Sequence, residues 1–531
     1  MSALPALGAE ALSALSVLTA VTASFTQLLL GYVSRSRRVW EGFTLSAMGL
    51  TALMTWALMG AAYSSGKPLL YRFGGWPPPV GIVYEVDRFS ALLGALVSSV
   101  MLLIGIYSTR YMEGEHGLRW YYTLLLGVEA GMLGCLYTGD FFNLFVMFEV
   151  TGVAAYALVA YRRYDRVAIE ASMKYAIFGA LATTMYFAAV ALAYGGLGTL
   201  NMADMALKLS GRSVPVSSAP YSSLGYTMAL FTVLALWAFT FKAAIFPNHF
   251  WLPDAHSAAP TPVSALLSGL VVKVGVYAIA RFTYTIYSTF EAVSAVKGAV
   301  LTASLILGAV SALLASASML VQRDVKKLIA YSTVVNIGYI SMGLGLGSPL
   351  GLAAATYHIV NHAISKALLF LATGVLIKAV GTREIDGLRG VGRALPITSI
   401  TLGIAAMSLA GLPPFNVFMS KFLLYSAFIE SGLPALTLAV LVPSVIAFVA
   451  YAKVLYTLCV KPCPEGVRGR VREDPVILVP LLALAVTCVA LGVLGAPYVL
   501  SNYVNPAVSS LTDTEGYIDS FLELARALPG T

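Results

Sequence analysis

Apolar stretches of about twenty residues, the length of a helix that crosses a bilayer, recur along the chain between short polar connections. In the first half they lie near residues 11–31, 42–63, 89–107, 120–138, 140–161, 174–194 and 225–252. In the second half they lie near 262–283, 298–319, 327–346, 351–377, 395–430, 435–458 and 475–497. The pattern predicts an all-α polytopic membrane protein with about fourteen transmembrane helices. Two stretches, 225–252 and 395–430, are longer than one crossing needs and contain proline, at Pro247 and at Pro413-Pro414. Proline lacks the backbone donor and its ring collides with the preceding turn, so both helices are expected to break. Paired breaks of this kind suggest an internal repeat. The chain divides accordingly into three N-terminal helices (1–107), a first repeat of helices four to eight (120–283) and a second of helices nine to thirteen (298–458). A last helix with a short outside tail (475–531) completes it.

Composition agrees with a membrane setting. The 531 residues are 59% hydrophobic and 11% charged, with mean hydropathy +0.82, against roughly 25% charged in soluble domains. The net charge of +8 does not point to nucleic acid, because the basic residues sit in short loops between apolar stretches. With the N-terminus placed outside, the inside loops hold 20 of the 33 Lys and Arg, the outside loops and tail hold 8, and five lysines fall within the stretches. That asymmetry follows the positive-inside rule and puts both termini outside a cell membrane. The first stretch precedes its basic cluster, Arg35, Arg37 and Arg38, which is the reverse of a cleaved signal peptide. The cysteines (Cys135, Cys459, Cys463, Cys488) form no Cys-x-x-Cys pair, and no phosphate-binding loop or dinucleotide fingerprint occurs. No cofactor and no metal is expected, and no electron passes through this chain.

With short loops, function is to be sought inside the bilayer. The ionisable groups there are Glu129, Glu149, Lys242, Lys273, His358, His362, Lys366, Lys421 and Lys453. A charged side chain at mid-bilayer costs roughly 2.5–3.5 kcal/mol, so this set facing lipid would cost on the order of 20 kcal/mol. A folded protein has only about 5–15 kcal/mol of net stability. These groups must face one another, water or protein. Lys453, near the end of its stretch, can snorkel to the interface, and Glu129 reads equally as a structural polar contact. Lys273 sits roughly nine residues, about 13 Å, from either end of its helix. Lys242 and Lys421 each accompany a break, where irregular backbone is tolerated if it is buried in protein or lines a cavity. Glu149 is the carboxylate best placed to offset a buried lysine.

His358, His362 and Lys366 fall at a strict spacing of four, which stacks them on one helical face in a ladder about 12 Å long. One histidine would read as an interhelical contact. Three titratable groups in register read as a proton relay, since histidine changes charge near neutral pH and desolvation brings lysine toward that range.

Three motifs carry a family resemblance. "FPNHFWLPDAHSAAPTPVSALLSGLVVKVGVY" (246–277), "QRDVKKLIAYSTVVNIGYI" (322–340) and the His-x3-His-x3-Lys ladder resemble the antiporter-like membrane subunits shared by respiratory complex I, membrane-bound hydrogenases and Mrp cation/proton antiporters. "GGWPPPVGI" (74–82) is most similar to the Mrp D-type subunits and their archaeal hydrogenase relatives. The likeness covers roughly residues 70 to 500. It implies fourteen helices, two inverted five-helix repeats and broken helices seven and twelve. It further implies that Glu149 of helix five pairs with Lys242 of helix seven, with Lys273 central in helix eight. His358, His362 and Lys366 then lie on helix eleven, and Lys421 on helix twelve. A lysine at this last position favours an Mrp-like member. The helix-ten position that often holds His or Gln is Asn336 here, which does not titrate, so a relay step there would need water. The chain stops soon after its last apolar stretch, so the lateral helix of the largest relatives is not expected.

The implied function is a proton-translocating subunit of a multisubunit membrane complex, the D-type subunit of an Mrp-type Na⁺/H⁺ antiporter or its equivalent. The alternative is the proton-pumping subunit of a hydrogenase or NADH:quinone oxidoreductase. The partners expected are other membrane subunits, H⁺ with Na⁺ as a second candidate ion, and lipid. Asp254 and His256, after the first break, are candidate gating groups or simple caps for the next helix; Glu129 is a further gating candidate. A stand-alone solute transporter would need a substrate pocket at the breaks, and a structural anchor would not need its buried lysines.

Overall fold

A computed structural model describes residues 8–212, 219–463, 472–493 and 495–526; Arg468 and Arg470, two of the inside-loop arginines, lie outside these. Among the described residues twelve helices are long and apolar enough to cross a membrane, or thirteen if the bent pair Ile385–Arg393 and Pro396–Ala410 counts as one. The expected fourteen exceeds this count at two places. Leu118–Tyr137 carries Arg119, Glu129 and three tyrosines, which lower its hydropathy. The stretch 395–430 is divided into Pro396–Ala410 and Asn416–Glu430, each of 15 residues. Both still pack in the bundle, Leu118–Tyr137 against Ala11–Val33 and Phe141–Val159, and the divided pair against Pro349–Val380. The spans accordingly keep their numbers one to fourteen in chain order.

Both breaks occur where proline placed them. Span seven is Leu224–Ala243 followed by the short helix Trp251–Ala258. The chain leaves the first piece at Ala244, whose φ of 56° is a left-handed conformation uncommon outside glycine. Trp251 Nε1 donates to the Phe241 carbonyl at 3.1 Å, alongside Ala244 N, and Phe246 N donates to Ser311 Oγ of span nine at 2.9 Å. Span twelve breaks at Gly411, with φ of 88°.

The two ends of the bundle are distinct. At one end the hairpin Leu69–Arg72/Val83–Val86 pairs antiparallel, with Leu69 opposite Val86. The tail is not a loose extension: Asn505–Thr512 and Thr514–Arg526 are helices packed at this end, tied down by Lys67–Glu523 and Arg212–Glu515. At the other end, ion pairs stitch the alternate loops together: Arg37–Glu113, Arg162–Glu115, Lys174–Asp254–Lys327 and Arg383–Asp324. The loops that alternation assigns to one side do meet there.

Close approach of helices relies on glycine. A Cβ on Gly338 of span ten would stand 2.5 Å from the Gly308 carbonyl of span nine. One on Gly275 of span eight would stand 2.5 Å from Ala243 N of span seven. Small residues at such contacts let backbones touch inside a membrane.

Candidate functional site

Span eleven, Pro349–Val380, is buried over most of its length and carries the ladder. The His358 and His362 rings lie nearly parallel, with centroids 6.2 Å apart and planes inclined by 12°. Span eight, Thr261–Ile286, brings Lys273 to within 2.7 Å (Nζ to Nδ1) of His362. Lys273 Nζ also donates to the Ser268 carbonyl at 2.7 Å, within a π-helical stretch, Leu267–Val271. Such stretches are rare and concentrate at functional sites.

On the other side of the ladder, His358 Nε2 is 3.1 Å from Asn336 Oδ1 and its Nδ1 is 2.9 Å from Ser420 Oγ. Asn336 Nδ2 donates to the Ser332 carbonyl at 2.7 Å, which turns the amide oxygen toward His358. Because that oxygen can only accept, the network places a proton on His358 Nε2, while Ser420 Oγ, 2.9 Å from Nδ1, also donates to the Val417 carbonyl at 3.0 Å. Asn336 touches the ladder directly, as a hydrogen-bonding partner that does not itself titrate. Tyr339 stands edge-on to His358, centroids 5.8 Å apart, and its ring faces Lys421 Nζ at 5.0 Å.

The lysines rest on carbonyls and hydroxyls. Lys421 Nζ donates to Leu409 O (3.0 Å), Ala410 O (3.1 Å) and Ser444 Oγ (2.9 Å). The two carbonyls end Pro396–Ala410, where helix termination orphans the last carbonyls. Lys366 Nζ donates to Ile329 O at 2.8 Å and closely to Ser332 Oγ. Asn416, just past the break, donates to Asn361 Oδ1 at 3.2 Å and accepts from Ser408 at 2.6 Å, fastening span twelve beside the ladder. Lys242 Nζ donates to the Phe148 carbonyl at 3.3 Å and faces the Phe148 and Tyr156 rings. It precedes its break, whereas Lys421 follows its own.

The implied Glu149–Lys242 ion pair is not formed in this structure: among the described residues no salt bridge joins them. Consecutive residues of a helix point about 100° apart. Phe148 faces Lys242, while half-buried Glu149 falls on an outward stripe with Val146, Val150 and Val153. Asp254 lies at the basic-loop end, bonded to Lys327 (2.9 Å) and Lys174 (3.3 Å), away from the ladder. His256 is fully buried, its ring stacked on Phe370 at 4.9 Å with neither nitrogen hydrogen-bonded. Its carbonyl accepts from Ser264 Oγ at 2.9 Å, so only its backbone serves the start of span eight. Glu129 is buried on span four with both oxygens unbonded, and Lys453 is exposed. Sequence reading missed Ser332, Tyr339, Ser420 and Ser444, because uncharged polar residues are common in spans and carry no charge penalty to mark them.

A family model described as NADH:quinone oxidoreductase/Mrp antiporter, TM, matches residues 138–447, and one described as NADH-Ubiquinone oxidoreductase (complex I), chain 5 N-terminus, matches 79–122. NADH-quinone oxidoreductase subunit N of Desulforudis audaxviator is 33% identical over 488 residues, 88% of this chain and 93% of that protein. The Na(+)/H(+) antiporter D-type subunit of Alkalihalophilus pseudofirmus is 30% identical over 490 residues, 92% of this chain and 94% of that protein. A chain of the membrane-bound sulfane sulfur reductase, an archaeal respiratory membrane complex, superposes with a TM-score of 0.87 at 31% identity, covering 96% of this chain and 99% of that one. With more than half its length under one family model and its whole helical frame shared, the chain belongs to the NADH:quinone oxidoreductase/Mrp antiporter family of membrane subunits.

Proposed function

We propose that the chain is a proton-translocating subunit of a multisubunit membrane complex, working as the D-type subunit of an Mrp-type Na⁺/H⁺ antiporter or its equivalent. The observation that carries this reading is the buried polar run from Lys273 through His362 and His358 to Ser420 and Lys421, with Asn336 and Tyr339 beside it. At 2.7 Å, Lys273 and His362 share one hydrogen, so moving it from Nζ to Nδ1 exchanges which residue is charged. His358 can take a proton at Nδ1 and release one from Nε2, which lets it pass protons without leaving its place. Lys366 and Lys421 are the cationic stations on either side.

Glu149 and Lys242 form the switch in this reading. Lys242 is held by a carbonyl, and Glu149 lies on the outward stripe, where bare lipid would be costly for a carboxylate. A neighbouring subunit is expected to cover that stripe, and its approach would set whether Glu149 meets Lys242. The hairpin end faces outward and the basic-loop end inward in a cell membrane, because the latter holds most of the lysine and arginine.

The test is proton flux in proteoliposomes of the complex purified through a tag on this chain. Flux that depends on Na⁺ supports the antiporter assignment. Flux that requires a redox donor supports the second reading, a pumping subunit of a respiratory complex, which the likeness to the sulfane sulfur reductase chain favours. Wild-type flux in a Lys273→Ala complex would remove both.

A further inference from the structure

Span eight carries Lys273, Tyr277, Arg281 and Thr285 at intervals of four, a polar face about 18 Å long that runs from the middle of the bundle to the hairpin end. Its outer half is tightly bonded. Arg281 Nη1 and Nη2 donate to the two oxygens of Asp87 at 2.7 and 2.8 Å, and Nη1 also donates to Thr285 Oγ1 at 3.1 Å. Arg281 Nε donates to Tyr277 Oη at 3.3 Å, and Tyr277 donates to the Leu136 carbonyl at 2.7 Å. Asp87 also caps span three, accepting from Ser90 N at 2.8 Å.

Four of the guanidinium's five N–H donors thus go to Asp87, Tyr277 and Thr285. A second acid, Glu85 on the strand Val83–Val86, is left over. It is 1% exposed, and neither carboxylate oxygen completes a hydrogen bond of ordinary geometry. The charged and titratable groups facing it are Arg281 of span eight, Tyr517 of the C-terminal helix and Asp87. An ionised carboxylate without donors is expensive to bury, so the neutral acid is the cheaper state. Burial pushes the Glu85 carboxyl well above the usual glutamate range, against the pull of Arg281 and Tyr517.

On its far side Glu85 meets Gly139, where a Cβ would stand 3.2 Å from the Glu85 Cβ and 3.4 Å from Oε2. The next residue, Asp140, lines a cavity of about 730 Å³ at the hairpin end, with Pro79, Ile82, Tyr194 and Tyr221. Gly139, which has no side chain, thus connects the residue that meets the acid to a residue that lines this cavity.

We infer that Glu85 is the proton-holding residue of the hairpin end, loading and releasing the protons that span eight exchanges with the buried run through Lys273. This rests on the proton-translocation reading above. A proton moving from the Lys273 ammonium to the Glu85 carboxylate converts a cation and an anion into an amine and an acid, so no net charge is created. The Arg281–Asp87 pair stays neutral throughout and keeps the region beside Glu85 polar.

The test uses the whole complex in proteoliposomes, comparing wild type with Glu85→Gln and Glu85→Asp. Infrared difference spectroscopy should show a protonated carboxyl at neutral pH that Glu85→Gln removes. Proton flux should fall about tenfold or more in Glu85→Gln with assembly on native gels unchanged, and Glu85→Asp should retain part of it. Wild-type flux in Glu85→Gln, or no carboxyl signal lost, overturns the inference. A wild-type complex that moves no protons overturns the parent reading instead. The infrared titration then decides the link to Lys273. Lys273→Met should raise the pH at which the Glu85 signal is lost by about half a pH unit, because removing a cation disfavours the ionised acid, and an unmoved midpoint counts against it.

Discussion

Lys273 Nζ and His362 Nδ1 stand 2.7 Å apart, joining spans eight and eleven without a carboxylate at the contact. One nitrogen donates and the other accepts, so the charge of each residue depends on the other. This makes His362 the position where a change should be felt most. His362→Gln keeps a polar group near Lys273 but does not titrate near neutral pH. Proton flux in proteoliposomes should fall by about tenfold or more, and the pH profile of what remains should change because the titratable partner of Lys273 is gone. Full flux with an unchanged profile would reduce the contact to a structural one.

Glu149 and Lys242 are not bonded in this structure, and that separates two measurements. Lys242→Ala and Glu149→Gln should change thermal stability additively, to within about 0.5 kcal/mol, because no direct bond couples them at rest. Each should impair transport, and the double variant should be far less than additive, if the two meet during turnover. Additive losses of flux would show that they never act as a unit.

The buried pair Asp87–Arg281 should respond unequally to its two halves. Arg281→Leu leaves Asp87 and Glu85 buried with no cation, and should destabilise by about 3–5 kcal/mol. Asp87→Asn leaves Arg281 beside Glu85, a second acid able to replace the first, so it should cost less. Thermal unfolding of the detergent-purified complex ranks the two. Equal losses would mean that Glu85 does not compensate.

Gly275→Ala tests the contact between spans seven and eight. Its Cβ would lie 2.5 Å from Ala243 N and 2.6 Å from the Phe239 carbonyl, both backbone atoms. The helices must part beside Lys242, which should cost about 1–3 kcal/mol and lower flux. Gly403→Ala meets nothing within 4 Å and should stay within about 0.5 kcal/mol of wild type.

Much of this frame is legible in the sequence because the bilayer enforces it. Apolar length marks the spans, proline marks both breaks, and charge inside apolar runs marks the lysines and histidines. What escapes has physical causes. The family resemblance pairs Glu149 with Lys242, but one residue of helical rotation decides which side chain faces a neighbour, and Phe148 occupies that face. The supports of Lys366 and Lys421 are largely main-chain carbonyls, which have no letter in a sequence. Arg281 and Asp87 lie near span ends and read as loop residues, although span eight and span three bury them together. The C-terminal helices pack on the hairpin end through contacts such as Thr285 to the Leu511 carbonyl at 2.7 Å, far apart in the chain and without a local signature.

Lys242, Lys366 and Lys421 rest on backbone oxygens and hydroxyls rather than on acids, and this determines how the axis can fill. A carbonyl has no charge of its own to cancel the ammonium, so each loaded lysine leaves a net positive unit in a low-dielectric interior. Each unit repels the next over tens of ångströms far more strongly than it would in water. In the proposed relay, loading is therefore anti-cooperative, with few stations occupied together. Under that reading a proton arriving at one end raises the pressure on those already inside, and the axis works as a queue that advances when pushed.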